Sequence, residues 1–110
     1  VSGEFRVTDL MKPATFALLQ NFPNPFNPET WIPFRLAKDA DVTIRIFDIR
    51  GQEIRTIHLG QKPAGYYDTR GKAVLWDGRD SYGQEVSSGI YFYNLTAGNF
   101  SATKKLTIIK

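Results

Sequence analysis

The chain has 110 residues, a length that suits one domain, and 42% of them are apolar and 14% aromatic, enough to build a real core and to exclude general disorder. There is no cysteine, which excludes disulfides, thiolate metal sites and a cysteine nucleophile. The net charge of +3 is spread through the sequence, so neither a nucleic-acid footprint nor a charged tail is indicated, and no apolar run reaches the roughly 18 to 20 residues that span a bilayer.

In chain order, the first 17 residues stand apart. Gly3 to Met11 could form a strand, but Lys12-Pro13-Ala14-Thr15 breaks the pattern, so residues 1–17 read as a linker or the tail of an upstream domain. The start at Val1, without an initiator methionine or a signal-peptide pattern, suggests a piece of a longer polypeptide.

From Leu18 on, short alternating runs are separated by turn signals, and helical periodicity is nearly absent. Ile32, Phe34 and Leu36 alternate with Trp31, Pro33 and Arg35, and Pro33 should leave that strand unpaired on at least one side. Lys38-Asp39-Ala40-Asp41 suits a hairpin turn into a strand where Val42, Ile44 and Ile46 share a face. Ile49-Arg50-Gly51-Gln52 is a tight turn with Gly51 free to take positive φ, and Glu53 to Leu59 reads as the partner strand. Gly60 to Gly71 is the longest irregular stretch, Lys72 to Trp76 a short strand, and Asp77 to Gly83 a turn-rich connection. Ile90 to Ala97 and Phe100 to Ile109 form a closing hairpin around Gly98-Asn99, whose inverted order leaves the turn type open. The pattern predicts an all-β, immunoglobulin-like antiparallel β-sandwich of about seven strands, with a barrel as the alternative and no internal repeat.

Chemical signals are weak. His58 is the one histidine, and a metal site or a base-activated nucleophile needs partners that the sequence does not place beside it. Asp77, Asp80 and Glu85 share a loop, but the spacing is not that of a calcium loop and Arg79 sits among them, so turn formation is the better reading. The glycines sit singly rather than in a phosphate cradle. No catalytic residue, metal site or cofactor is therefore expected, and an enzyme is the poorest reading. Asn94-Leu95-Thr96 and Asn99-Phe100-Ser101 fit the glycosylation pattern, which matters only in a eukaryotic secretory pathway. The aromatic residues Trp31, Tyr66 and Tyr67 could stack on sugars, which keeps a carbohydrate-binding or adhesive sandwich as the alternative function.

The stretch Leu18 to Thr30, containing Asn24-Pro25-Phe26-Asn27-Pro28, resembles the opening signature of the C-terminal sorting domains of the type IX secretion system. It is also similar to the related immunoglobulin-like domain of flagellar hook-capping proteins. Further matching blocks follow in order: Ile46 to Gly51, Ala64-Gly65, Trp76-Asp77-Gly78, Val86 to Leu95, and Lys104 to Lys110. The segment from Gly65 to Lys72 is longer than the pattern. The resemblance implies that residues 18–110 form a non-catalytic sorting and anchoring domain of a larger exported bacterial protein, secreted or held at the cell surface. Its partners would be the secretion machinery and an upstream domain of the same polypeptide. The recognised signal would then lie on Gly89, Tyr91, Lys104, Lys105 and Lys110.

Overall fold

A computed structural model describes residues 12–26 and 28–110, so the possible strand from Gly3 to Met11 lies outside the described residues. Among the described residues nine strand segments follow in order: β1 (Ala17–Leu18), β2 (Thr30–Ile32), β3 (Phe34–Leu36), β4 (Ala40–Phe47), β5 (Glu53–Lys62), β6 (Gly65–Tyr67), β7 (Val74–Trp76), β8 (Gly89–Ala97) and β9 (Phe100–Ile108). One layer is a four-stranded antiparallel sheet in the order β5-β4-β8-β9, and the other consists of β1-β3-β6 and β2-β7.

The second layer is simpler than its segments suggest. Pro33 has no N–H to give: the strand breaks there into β2 and β3, and at that point it is paired on one side only, the pairing the sequence predicts. Opposite the break, β6 pairs with β3 (Phe34 with Tyr67) and β7 pairs with β2 (Ile32 with Val74), both antiparallel. On the other side, the Pro33 carbonyl accepts from the Leu19 N–H at 3.0 Å, and Phe22 and Trp31 exchange backbone bonds. Thus β6 and β7 are two halves of one edge strand, and residues 68–73 loop out where Pro33 interrupts the ladder. Merging the two split strands turns nine segments into seven strands, in an antiparallel β-sandwich.

Alternation decides which side chains go inside. Val42, Ile44 and Ile46 of β4 face Ala97, Leu95 and Tyr93 of β8 across the ladder. With Ile32, Phe34 and Leu36 from the other layer, and Trp76, Leu106 and Ile108, they form one buried cluster. Burying such side chains contributes about 1.5–3 kcal/mol each. No buried side-chain polar atom is left without a partner among the described residues.

Three connections differ from the sequence reading or complete it. The step from Lys38 to Asp41 is not a hairpin, because β3 and β4 lie in different sheets and the chain crosses between layers there. At Gly98-Asn99 only the glycine has positive φ (59°), the pattern of a type II′ turn. A five-residue motif does recur: Asp48-Ile49-Arg50-Gly51-Gln52 and Asp80-Ser81-Tyr82-Gly83-Gln84 fold alike. Asp48 Oδ1 accepts from the N–H groups of Arg50 and Gln52, and Asp80 Oδ1 from those of Tyr82 and Gln84. Gly51 and Gly83 have φ of 84° and 82°.

The region assigned to the linker contributes to the fold. Pro13 is buried, Phe16 stacks on Phe100 with ring centroids 5.4 Å apart, and Ala17 pairs with Arg35. The packed domain therefore begins before Leu18.

Candidate functional site

Four of the blocks that carry the family resemblance, Leu18 to Thr30, Trp76-Asp77-Gly78, Val86 to Leu95 and Lys104 to Lys110, are far apart in sequence but meet in space. Phe26 pairs in parallel with Ile108: its N–H donates to the Thr107 carbonyl at 3.1 Å, and its carbonyl accepts from the Ile109 N–H at 3.2 Å. Asn24 Oδ1 accepts from the Thr107 N–H at 3.0 Å. The Phe26 ring, 3% exposed, meets Trp76 edge-on at 5.6 Å, and Trp76 in turn meets Tyr91 at 6.2 Å. Gly78 lies against the Pro28 carbonyl, where an added Cβ would sit 2.6 Å from the oxygen. The loop of Asn24, Pro25, Phe26 and Pro28 thus joins the Trp76-Asp77-Gly78 block and the last strand. Asn27 lies outside the described residues.

This contact is the end of a longer one. Residues 16–26 run beside β9 in the same direction: Phe16 stacks on Phe100, Gln20 Nε2 donates to the Lys105 carbonyl at 2.9 Å, and Asn24 and Phe26 follow at Thr107 and Ile108. An edge strand with a row of unpaired backbone groups invites pairing with other chains, and here a loop covers it. Buried Asn21 secures the middle of the segment. Its N–H donates to Tyr93 Oη at 2.9 Å, its Nδ2 to Thr30 Oγ1 at 3.0 Å, and Tyr93 Oη donates to the Leu19 carbonyl at 2.7 Å. Burial pushes the Tyr93 phenol up to about 12, opposed in part by the Asn21 N–H. Gln20 and Asn21 fell inside the quoted signature block, but sequence reasoning gave neither a role. The only signal was their polarity beside the apolar Leu18-Leu19.

The five expected signal residues do not form one patch. Tyr91 is 6% exposed and donates its hydroxyl to the Ser87 carbonyl at 2.8 Å, so it belongs to the core. Lys104 stands opposite buried Tyr93 on the inward side of β9, half-buried, while Lys105 stands opposite Phe92 on the outward side and is exposed. Lys110 is held by Glu85 (Nζ to Oε1, 3.2 Å) and by its own N–H to Ser88 Oγ at 3.0 Å. Gly89 opens β8 in regular register with Ile108. A side chain there would meet nothing within 4 Å, so its φ of 151°, not a bulge or close approach, favours glycine.

The three rings offered as a sugar platform are not gathered. Tyr67 stacks on Phe34 at 4.8 Å and donates its hydroxyl to the Pro63 carbonyl. Burial, then the nearby Asp39 carboxylate, raises its pKa. Tyr66 points to the opposite face of β6 under the Arg35 guanidinium, and Trp31 lies between Phe22 and the Arg70 guanidinium. The loop carboxylates are likewise engaged. Asp77 Oδ1 accepts from the Arg79 N–H and Arg55 Nη1, Asp80 holds its own turn, and Glu85 pairs with Arg79 and Lys110. His58 Nδ1 lies 3.4 Å from Thr43 Oγ1 on an exposed strand position.

The family model described as the FlgD Ig-like domain matches residues 26–101, most of the chain, taking in β2 to β8 and ending just inside β9. The chain belongs to this family. No protein of curated function matches this FlgD-like domain. Among solved structures it is similar to dimeric latent PorU from Porphyromonas gingivalis (18% identity, TM-score 0.63), covering 86% of this chain and 9% of PorU. It is also similar to PorZ of the same organism, described as an essential bacterial surface component of the type-IX secretion system (18% identity, TM-score 0.59; 86% and 12% covered). FLGD from P. aeruginosa is 27% identical over 66% of this chain and 54% of that one, with a TM-score of 0.51. The FlgD-like domain therefore spans a small part of PorU and PorZ and about half of FLGD. At these identities the first two likenesses concern the fold. Among the described residues no helix is long and apolar enough to cross a membrane.

Proposed function

We propose that this FlgD-like domain is a non-catalytic C-terminal sorting and anchoring module, which takes a larger bacterial protein through type IX secretion to the cell surface or the medium. The observation that carries the reading is the clamp of Phe26 and Asn24 on the last strand at Thr107 to Ile109. A strand at a sheet edge frays unless it is tied down, and a frayed signal presents an ensemble rather than a shape. Here the strand is tied, so β8 and β9 meet a receptor as formed structure with exposed Lys105 on the outward face. The likeness to parts of PorU and PorZ supports this, since PorZ is described as a component of that secretion system. The receptor, on this reading, is a protein of the secretion machinery that recognises the hairpin by surface shape and charge, with Tyr91 and Lys104 acting through the fold.

The match to the FlgD Ig-like model and to FLGD favours a second reading, a structural domain that packs against neighbouring subunits of an assembly such as the flagellar hook cap. Export assays on the full polypeptide separate the two. Deleting Ser101 to Lys110 should abolish export, and Lys105→Glu, which keeps the fold, should reduce it. Undisturbed export of both variants rejects the sorting reading.

A further inference from the structure

We propose that the open side of the sandwich is an acceptor slot for an extended peptide of another protein, alternating in apolar residues and carrying carboxylates toward Lys62 and Lys72. The proposal is independent of the sorting reading, since it concerns the opposite side of the molecule from the β9 clamp.

The two sides of the sandwich are treated differently. Along β9, residues 16–26 cover the edge. On the other side the edges are β5 in one layer and the β6–β7 strand in the other, each terminal in its sheet. Near the start of β5 the gap is bridged, because the Ser81 N–H and hydroxyl both donate to the Ile54 carbonyl. Toward the end of β5 it opens into a cavity of about 560 Å³, floored by Phe34, Leu59, Tyr67 and Val74. That volume lies within the usual range of ligand sites.

Three features select the occupant. Two sheet edges flank the slot, and an extended backbone is the ligand that can use such edges, with side chains alternating between the floor and solvent. The floor is apolar, and Tyr66 and Leu75, which also line the opening, are 41% and 46% exposed. The charged side chains lining the slot are Lys62 and Lys72, and neither has an ion-pair partner among the described residues. Neither nearby acid lines the cavity: Asp39 is held by the Ala64 N–H at 2.8 Å, and Asp68 is paired with Arg35 at 3.0 Å. An acidic peptide complements this rim and a basic one does not. Part of the slot is built by Gly65, Tyr67, Gly71 and Lys72, at the two ends of the loop that separates β6 from β7.

The test is an amide-resolved NMR titration of the whole chain with three capped heptapeptides. The first alternates valine and threonine with an acid at each end. The second has lysines in place of the acids, and the third is the first with alternate amides N-methylated. The acidic peptide should shift amides between Leu59 and Leu75. The lysine peptide should bind roughly three- to tenfold more weakly, and the N-methylated one not detectably. The double variant Lys62→Glu/Lys72→Glu should reverse the charge preference, and Leu75→Asp, at an exposed position, should weaken binding without changing the rest of the spectrum. Equal binding of the acidic and lysine peptides, retained binding after N-methylation, or shifts confined to other surfaces would overturn the proposal. So would self-association of the chain that the acidic peptide displaces, because it would give the slot to a second copy.

Discussion

Phe26 and Ile108 are 82 positions apart in sequence (108 − 26) and form a parallel bridge, with Phe26 bonded on both sides of Ile108, to the Thr107 carbonyl and to the Ile109 N–H. This contact converts an exposed edge into a closed one. It also places the Phe26 ring between the last strand and Trp76, so the loop is bound by backbone and side chain together.

Phe26→Ala removes a ring that is 3% exposed, and the site has little room to collapse because Trp76 and the two backbone bonds hold its walls. A loss of about 3–5 kcal/mol is expected, measured by urea unfolding. Asn24→Ala, which removes one partly exposed bond, should cost under about 1 kcal/mol and show as faster hydrogen exchange at the Thr107 amide.

Glycine at Gly78 is required twice, by φ of 76° and by the Pro28 carbonyl, whereas Gly51 has φ of 84° and open space. Gly51→Ala should therefore cost about 1–2 kcal/mol from backbone strain alone. Gly78→Ala should cost clearly more, because the loop holding Phe26 must move. Thermal melting of both variants, compared with the parent, checks the ordering.

Tyr93 sets an alkaline limit. Its folded pKa of about 12 lies above the ordinary value of 10.0, so the folded state holds the phenolic proton more tightly. The stability gained is complete below pH 10 and is lost as pH rises through 10 to 12. Tyr67 is raised as well and adds to the same limb. Tyr93→Phe should flatten that decline and cost about 1–3 kcal/mol at neutral pH, because the Leu19 carbonyl and Asn21 N–H lose their partner. Melting temperature against pH, with tyrosinate absorbance read in parallel, measures both.

The sequence carried the local part of this structure well. Alternation at Val42, Ile44 and Ile46, and from Tyr91 to Leu95, is a period-two signal that needs no distant partner, and the break at Pro33 follows from its missing N–H. What failed was long-range. The course of residues 16–26 along β9 joins positions some 80 apart in sequence, and no local pattern specifies it. The identity of β6 and β7 as one strand was hidden by residues 68–73, which loop out between them. Lys38 to Asp41 was misread because a hairpin turn and a crossing between sheets use the same residue types. The site was less legible than the fold. Tyr91 carries the family pattern but is buried, and Lys104 and Lys105, adjacent in sequence, point to opposite faces. The repeated turn was visible in Asp48, Gly51 and Gln52 and in Asp80, Gly83 and Gln84, but only the bonds of the aspartate oxygens give that spacing meaning.

The sorting account is tested most directly by joining residues 12–110 to the C-terminus of a fluorescent reporter, directed to the periplasm of a bacterium that has type IX secretion. The account predicts that the reporter reaches the cell surface or medium, and stays in the periplasm when the secretion apparatus is inactivated. A reporter that remains periplasmic in the competent strain, with the domain folded, would contradict it.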